Sequence, residues 1–243
     1  MRLLIIRHGD PDYSIDGLTE KGKREAELLS DRLCKEKLDY IYCSPLGRAK
    51  LTIEPTLKKL GKTAECCPWL REFNYNTLNS KYTDKPYNSP WDILPSFINE
   101  NPDFYHPTRW RELDCMKDTG LPEAYDEVAG ELDALLAKHG YVREGLNYRV
   151  EKSNHDTLVL TCHFGLASML LSHIFNCSPY SIWQHCCLPP TSVTTVYTEE
   201  RREGIALLRA QSLGDISHLY VKDEEPAFAA RFCECFTDDT RHD

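Results

Sequence analysis

Leu3-Leu4-Ile5-Ile6-Arg7-His8-Gly9 is the stretch on which the fold turns. Four consecutive branched apolar residues suit a central strand buried on both faces, the usual state of a parallel strand. The run stops at Arg7-His8, and Gly9 permits a sharp turn that presents those two side chains at the strand's end. The pattern returns far along the chain. Thr157-Leu158-Val159-Leu160-Thr161-Cys162 is the clearest strand of the sequence, and it stops at His163-Phe164-Gly165. In open α/β sheets ligands bind outside the carboxyl ends of the strands. If the two strands are neighbours, His8 and His163 face one crevice.

Working outward, Asp10 to Leu18 reads as a loop, and Thr19 as the N-cap of a helix with Glu20 in its first turn, where the helix dipole favours an anion. Gly22, Ala26, Leu29 and Leu33 recur at helical spacing, which predicts a helix over 20–37. Asp39 to Cys43 reads as a strand. Ser44-Pro45 opens a second helix with Ala49, Ile53, Leu57 and Leu60 on one face and Gly61 at its end. Residues 74–121 carry many Pro, Asn, Tyr and Trp residues with weak periodicity, and read as an insertion with short helices that caps a site. Pro122 suits the first turn of a further helix, with Val128, Leu132, Leu135 and Leu136 inward. Residues 141–154 read as a loop, Leu166 to Phe175 as an apolar helix, and Ser192–Tyr197 and Gly204–Ala210 as strands. The charged tail from Lys222 is expected to have low order or to form a short docked helix. Strands alternating with helices predict an α/β three-layer sandwich: a largely parallel central sheet, helices on both faces and a cap-like insertion.

The chain has 243 residues and a formal net charge of −9, with 41% hydrophobic and 28% charged residues. That is an ordinary globular balance, and the length favours one domain over 1–243. An acidic chain is a poor partner for nucleic acid phosphates. No apolar run reaches the ~18 residues of a membrane helix. The eleven cysteines are scattered without a Cys-x-x-Cys pair, and read as reduced thiols in a cytoplasmic protein. His185-Cys186-Cys187 lacks the second ligand pair that a structural zinc needs, so no metal is expected there.

Arg7 beside His8, and Arg48 at the start of the helix after the second strand, would join the two histidines in a cationic pocket. Guanidinium forks bind phosphoryl oxygens bidentately, and an imidazole can attack phosphorus and leave again. No Walker-type glycine loop and no EF-hand acidic spacing is present, so neither a nucleoside triphosphate nor a calcium site is indicated. Within the insertion, Trp91, Phe97, Phe104, Tyr105 and Trp110 read mostly as a satellite core. Arg109 and Arg111 are candidate contacts for a substrate anion.

Arg7-His8-Gly9 after a short apolar strand resembles the signature of the histidine phosphatase superfamily, the phosphoglycerate mutase-like proteins. Leu18-Thr19-Glu20-Lys21-Gly22, Ser44-Pro45-Leu46-Gly47-Arg48-Ala49 with Thr52 after it, Leu70-Arg71-Glu72, Glu123-Ala124-Tyr125-Asp126-Glu127-Val128 and His163-Phe164-Gly165 resemble further motifs of that family, in its order. The resemblance spans about residues 1–200. It implies a metal-independent phosphomonoesterase without a cofactor, and the net charge of −9 favours a small phosphorylated metabolite over an acidic macromolecule as the substrate. The resemblance implies His8 as the nucleophile that becomes phosphohistidine, and Arg7, Arg48 and His163 as the groups that bind the phosphoryl and stabilise its transition state. Glu72 is implied as the acid that protonates the leaving oxygen and later the base that activates water. Glu123 and Tyr13 become possible substrate contacts, Glu123 otherwise being a first-turn carboxylate satisfying the helix dipole. Phe164 stands where the family has a small residue, which narrows the pocket. Asp10-Pro11-Asp12-Tyr13 lacks the Ser and Asn of the mutases, which favours hydrolysis over mutase chemistry. A mutase, a non-catalytic phosphate-binding module and a redox or metal-binding cysteine protein are the alternatives.

Overall fold

The computed structural model describes residues 1–73, 89–117, 119–229 and 231–238. In chain order the elements are β1 (Arg2–Arg7), β2 (Pro11–Asp12), β3 (Gly17–Leu18), α1 (Glu20–Leu33), β4 (Tyr40–Cys43), α2 (Gly47–Leu60), β5 (Glu65–Cys66), α3 (Pro95–Glu100), α4 (Leu121–Lys138), β6 (Tyr141–Glu144), β7 (Asn147–Val150), β8 (Thr157–Cys162), α5 (Phe164–Phe175), α6 (Pro179–Trp183), β9 (Val193–Arg202), β10 (Ile205–Asp215) and α7 (Ser217–Tyr220), with short 3-10 turns between some of them. An eight-stranded sheet runs in the order β5-β4-β8-β1-β9-β10-β7-β6. Its first four strands are parallel. From β1 onward each pairing is antiparallel. The expected α/β architecture is present, with a parallel core that continues into an antiparallel half.

Strand alternation sorts the core into two layers. Leu4 and Ile6 of β1 pack with Leu29 and Leu33 of α1, Ile53 of α2 and Val159 of β8. Leu3 and Ile5 point the other way, into a larger cluster with Leu132 and Leu136 of α4 and Leu166 and Leu170 of α5. Successive residues of a strand face opposite sides, so an all-apolar strand needs a helical layer on each. The insertion adds Phe104, Trp110 and Met116, all buried, to the second layer. Phe104 meets Tyr180 with ring centroids 4.7 Å apart, and Trp110 meets Tyr125 at 5.5 Å. Each fully buried ring contributes about 3 kcal/mol. Residues 74–88 of the expected cap lie outside the described residues.

Helix α1 starts where the sequence places it, with Thr19 Oγ1 accepting from the Gly22 N–H at 3.0 Å. Gly22 is there for close approach: a Cβ on it would lie 2.2 Å from the Asp10 carbonyl oxygen, so the loop leaving β1 rests directly on the helix. Helix α2 begins at Gly47 rather than at Ser44, which leaves the Ser44 side chain available to the strand ends.

Two expectations are corrected. Residues 141–154, read as a loop, contain the β6–β7 hairpin with a two-residue turn at Gly145-Leu146. Its strands are four residues each, too short for alternation to stand out, and the pairing is anchored by buried Tyr141 and Tyr148. The tail is neither loose nor helical between residues 224 and 229. Glu224 pairs with Lys21 and Arg24 of α1, and the Ala227 N–H donates at 3.1 Å to the buried Glu25 carboxylate. Glu25 also accepts from the Asp10 N–H, so one buried carboxylate ties the tail to the loop after β1. Residues 239–243 of the tail lie outside the described residues.

Candidate active site

Arg7 of β1 lies opposite Cys162 of β8, and Cys43 of β4 opposite Thr161. The ladder continues past the strands, with His8 N–H donating to Cys162 O and Ser44 N–H to Thr161 O, both at 2.9 Å. Arg7, His8, Ser44 and His163 are therefore delivered by main-chain pairing to one carboxyl edge of the sheet. The His8 and His163 rings lie 5.0 Å apart, both buried. The turn at Gly9 is held by Thr52 of α2, whose Oγ1 accepts from the Gly9 N–H and donates to the Arg48 carbonyl.

His8 Nδ1 lies 2.7 Å from the Gly9 carbonyl oxygen. A carbonyl only accepts, so Nδ1 carries the proton and Nε2 keeps its lone pair. Burial, and then the Arg7 guanidinium, hold the His8 imidazole well below its usual pKa, which leaves it neutral and nucleophilic. His163 is held low by burial first, and then by His8, Arg48 and Arg7. Its Nε2 meets Ser44 Oγ at 2.7 Å. Ser44 Oγ already accepts from the Leu46 N–H, so its own proton is free to go to Nε2. With Ser44 donating in that bond, His163 Nδ1 carries the ring proton; it is a buried atom with no hydrogen-bond partner among the described residues. Arg48 Nε is a second buried donor in the same state.

Arg48 Nη1 is engaged with Asp16 at 2.6 Å, and Asp16 also accepts from the Gly47 N–H at the start of α2. Tyr13 lies against the Arg48 guanidinium, 5.4 Å from it to the ring centroid, and is 70% exposed. Arg7 Nη1 donates to the Leu188 carbonyl at 2.8 Å and to the Ala229 carbonyl at 3.1 Å, so the tail reaches the site. Its guanidinium stands 5.7 Å from the Phe164 ring centroid.

Glu72 follows the short 3-10 turn Pro68–Leu70. Its Oε1 accepts from the Phe73 N–H at 2.8 Å and from the Leu166 N–H at 3.1 Å, the latter in the first turn of α5. Burial raises the Glu72 carboxyl above its usual pKa, against the opposing pull of those two amides and of Arg48 and Arg7. A carboxyl shifted in this direction moves toward the range in which a general acid works.

The geometry thus brings together Arg7, His8, Arg48, Glu72 and His163. Of the other candidates, Tyr13 lies against Arg48, while Glu123, Arg109 and Arg111 make other contacts. Glu123 is an exposed carboxylate in the first turn of α4. Arg109 is paired with Asp103 at 2.7 Å on the surface. Arg111 is paired with Asp126 of α4 at 2.7 Å and lies over the Trp110 and Tyr125 rings. Four participants were not singled out from the sequence. Ser44 stood within a recognised motif, which was a usable signal. Asp16 and the Leu188 and Ala229 carbonyls gave none, since a loop aspartate and a main-chain oxygen have no spacing signature.

Residues 3–211 match the family model described as the histidine phosphatase superfamily, branch 1. Among curated proteins, phosphoserine phosphatase 1 of Hydrogenobacter thermophilus is 38% identical over 61 residues, covering 21% of this chain and 29% of that protein. A probable phosphoglycerate mutase of Photorhabdus laumondii is 30% identical over 93 residues, 35% of this chain and 43% of its own. The matched stretches span less than half the length of these relatives. Among solved structures, a phosphoserine phosphatase mutant from Entamoeba histolytica in complex with phosphoserine superposes with a TM-score of 0.61 at 19% identity, covering 90% of this chain and 98% of that one. A mycobacterial glucosyl-3-phosphoglycerate phosphatase superposes with a TM-score of 0.58 at 17% identity, covering 88% and 98%. Among the described residues no helix is long and apolar enough to cross a membrane.

Proposed function

The chain belongs to the histidine phosphatase superfamily, and from that premise we propose that it is a metal-independent phosphomonoesterase acting on a small phosphorylated metabolite through a phosphohistidine intermediate. The observation that carries the reading is that the buried atoms His163 Nδ1 and Arg48 Nε, near the lone pair of His8 Nε2, have no partner among the described residues. Buried polar atoms are normally satisfied. A phosphoryl group bound in this pocket supplies acceptor oxygens for both.

In this reading His8 Nε2 attacks phosphorus in line, forming the N–P bond as the P–O bond to the leaving group breaks. Arg7, Arg48 and His163 hold the three non-bridging oxygens and offset the charge of the transition state, commonly the largest catalytic contribution. Glu72 gives its proton to the departing oxygen. Water then attacks the phosphohistidine while Glu72 takes its proton back, releasing inorganic phosphate and restoring neutral His8.

The test is hydrolysis of p-nitrophenyl phosphate and of alkyl phosphates, with and without EDTA, beside folded His8→Ala. The expected result is EDTA-resistant hydrolysis that falls by at least about 10⁴-fold in the variant, with an acid-labile phosphoryl label trapped only on the wild type. Full activity in His8→Ala would overturn the covalent mechanism. Turnover that requires a bisphosphoglycerate primer would turn the reading to a mutase, a class represented among the relatives.

A further inference from the structure

Among the described residues of the insertion, Trp91 reaches this site, and three features fix it there. It stands in the 3-10 turn Pro90–Asp92, closed by reciprocal capping between Ser89 and Asp92. Its carbonyl accepts from Gln184 Nε2 at 2.8 Å. Its indole meets the Phe164 ring edge-on at 5.6 Å and tilts against Trp183 at 6.2 Å. Trp183 is itself held by donation from its Nε1 to the Gly165 carbonyl at 2.9 Å, and stacks on Phe73 at 5.7 Å.

The indole and the Glu72 carboxyl converge on one point. A Cβ built on Gly165 would lie 2.0 Å from Trp91 Cζ3, 2.6 Å from Trp91 Cη2 and 2.9 Å from Glu72 Oε1. Only a residue without a side chain leaves room for both, which sets the indole edge and the carboxyl against the same glycine. The Trp91 indole, packed edge-on against Phe164, forms an apolar wall on one side of the Glu72 carboxyl, and Glu72 keeps partial exposure to solvent. The charged and titratable groups facing it are Arg48 from α2, Arg7 from β1 and the Cys162 thiol from β8. Both arginines favour the carboxylate, as do the amides of Phe73 and Leu166. The aromatic wall acts in the opposite direction, because removal of water disfavours the charged form.

Resting on the reading of Glu72 as the acid, we infer that Trp91 is a positioning residue for it, walling one side of the carboxyl from water so that the proton a poor leaving group requires is held more readily. An aryl oxide leaves readily without help. An alkoxide does not, so the wall suits the site to esters of ordinary alcohols.

The inference makes the loss in Trp91→Ala depend on the leaving group. Trp91→Ala is expected to lower kcat/KM for an alkyl phosphate such as phosphoserine by about 30-fold or more, within the range of general acid catalysis, and for p-nitrophenyl phosphate only severalfold. The basic limb of the kcat/KM profile should move to lower pH in Trp91→Ala and return in Trp91→Phe, which keeps an aromatic face. A second measurement needs no turnover. The Glu72 carboxyl, labelled with ¹³C and assigned through Glu72→Gln, should titrate at lower pH in Trp91→Ala than in the wild type. Equal losses on both esters, or an unmoved titration of Glu72 in a folded Trp91→Ala, would overturn the inference. If the wild type hydrolyses no ester but the Glu72 titration moves as stated, the phosphatase reading falls and the role of Trp91 stands.

Discussion

The parallel half of the sheet (β5, β4, β8, β1) and the antiparallel half (β9, β10, β7, β6) share one hydrogen-bonded ladder but are covered differently. All six residues of β8 are buried, because α1 and α2 pack on one face and α4 and α5 on the other. β10 instead alternates: Ala206 and Leu208 face the core, while Ile205 is 54% exposed and Leu207 45%. A strand buried on both faces cannot slip its register without turning its apolar set against the wrong layer, and its ends are fixed accordingly. Arg7, His8, Ser44 and His163 all leave from the ends of β1, β4 and β8. Precise placement of reacting groups and two-sided burial thus coincide, as expected when a site needs sub-ångström positioning from a rigid support.

The sharpest way to break this comparison is to remove one arginine from each half. Arg48→Ala takes a buried donor from the phosphoryl pocket and is expected to cost about 10²–10³-fold in kcat/KM. Arg209→Ala removes an exposed pair with Glu199, 3.2 Å long, from the antiparallel half. It should change activity less than about twofold and stability by less than about 0.5 kcal/mol. Steady-state kinetics with urea melts would decide the matter, and comparable losses in both variants would end the distinction. A smaller effect separates two glycines. Gly165→Ala forces a Cβ onto Trp91 and Glu72, and should lose about tenfold in activity and about 1–3 kcal/mol in stability. Gly130 in α4 has open space where its Cβ would stand. Gly130→Ala should instead gain about 0.5–1 kcal/mol with activity intact.

The same division governs what could be read from the sequence. The ends of β1 and β8 were legible because an apolar run that stops at a polar pair carries its own boundary. His8 and His163 came with those boundaries, and Arg48 with the helix that follows the second strand. Glu72 depended on resemblance, since an acidic residue after a 3-10 turn has no periodicity around it. The β6–β7 hairpin was missed because its strands are short and half exposed. The contacts of the tail were missed because they are main-chain or long-range: Ala229 O on Arg7 and Ala227 N–H on Glu25 join residues about two hundred positions apart. Trp91 was legible as a core aromatic of the insertion but not as a neighbour of Glu72, because that proximity runs through Gly165, whose part is to be small.

The gentlest probe acts on stability and leaves the reaction at neutral pH untouched. His218 in α7 is buried, with Nε2 3.2 Å from Thr191 Oγ1, and the Thr191 N–H in turn donates to the His8 carbonyl. Arg32 and Asp215 are the charged groups around it, and burial is the main reason that its pKa is lowered to about 4. In the unfolded chain the imidazole titrates near 6.5. Between those values the unfolded state binds the proton and the folded state does not, so this contribution to stability is present above pH 6.5 and is lost as pH falls through the window. At pH 5, one and a half units below the ordinary value, it amounts to on the order of 2 kcal/mol. His8 and His163, also held low, add to the slope in the same direction. His218→Gln keeps a donor at the Nε2 position but does not titrate, so urea midpoints measured from pH 7.5 to 4.5 should fall less steeply in the variant. Parallel slopes for the two proteins would show that His218 is not among the groups that set acid stability, and would leave the acid loss to the histidines at the strand ends.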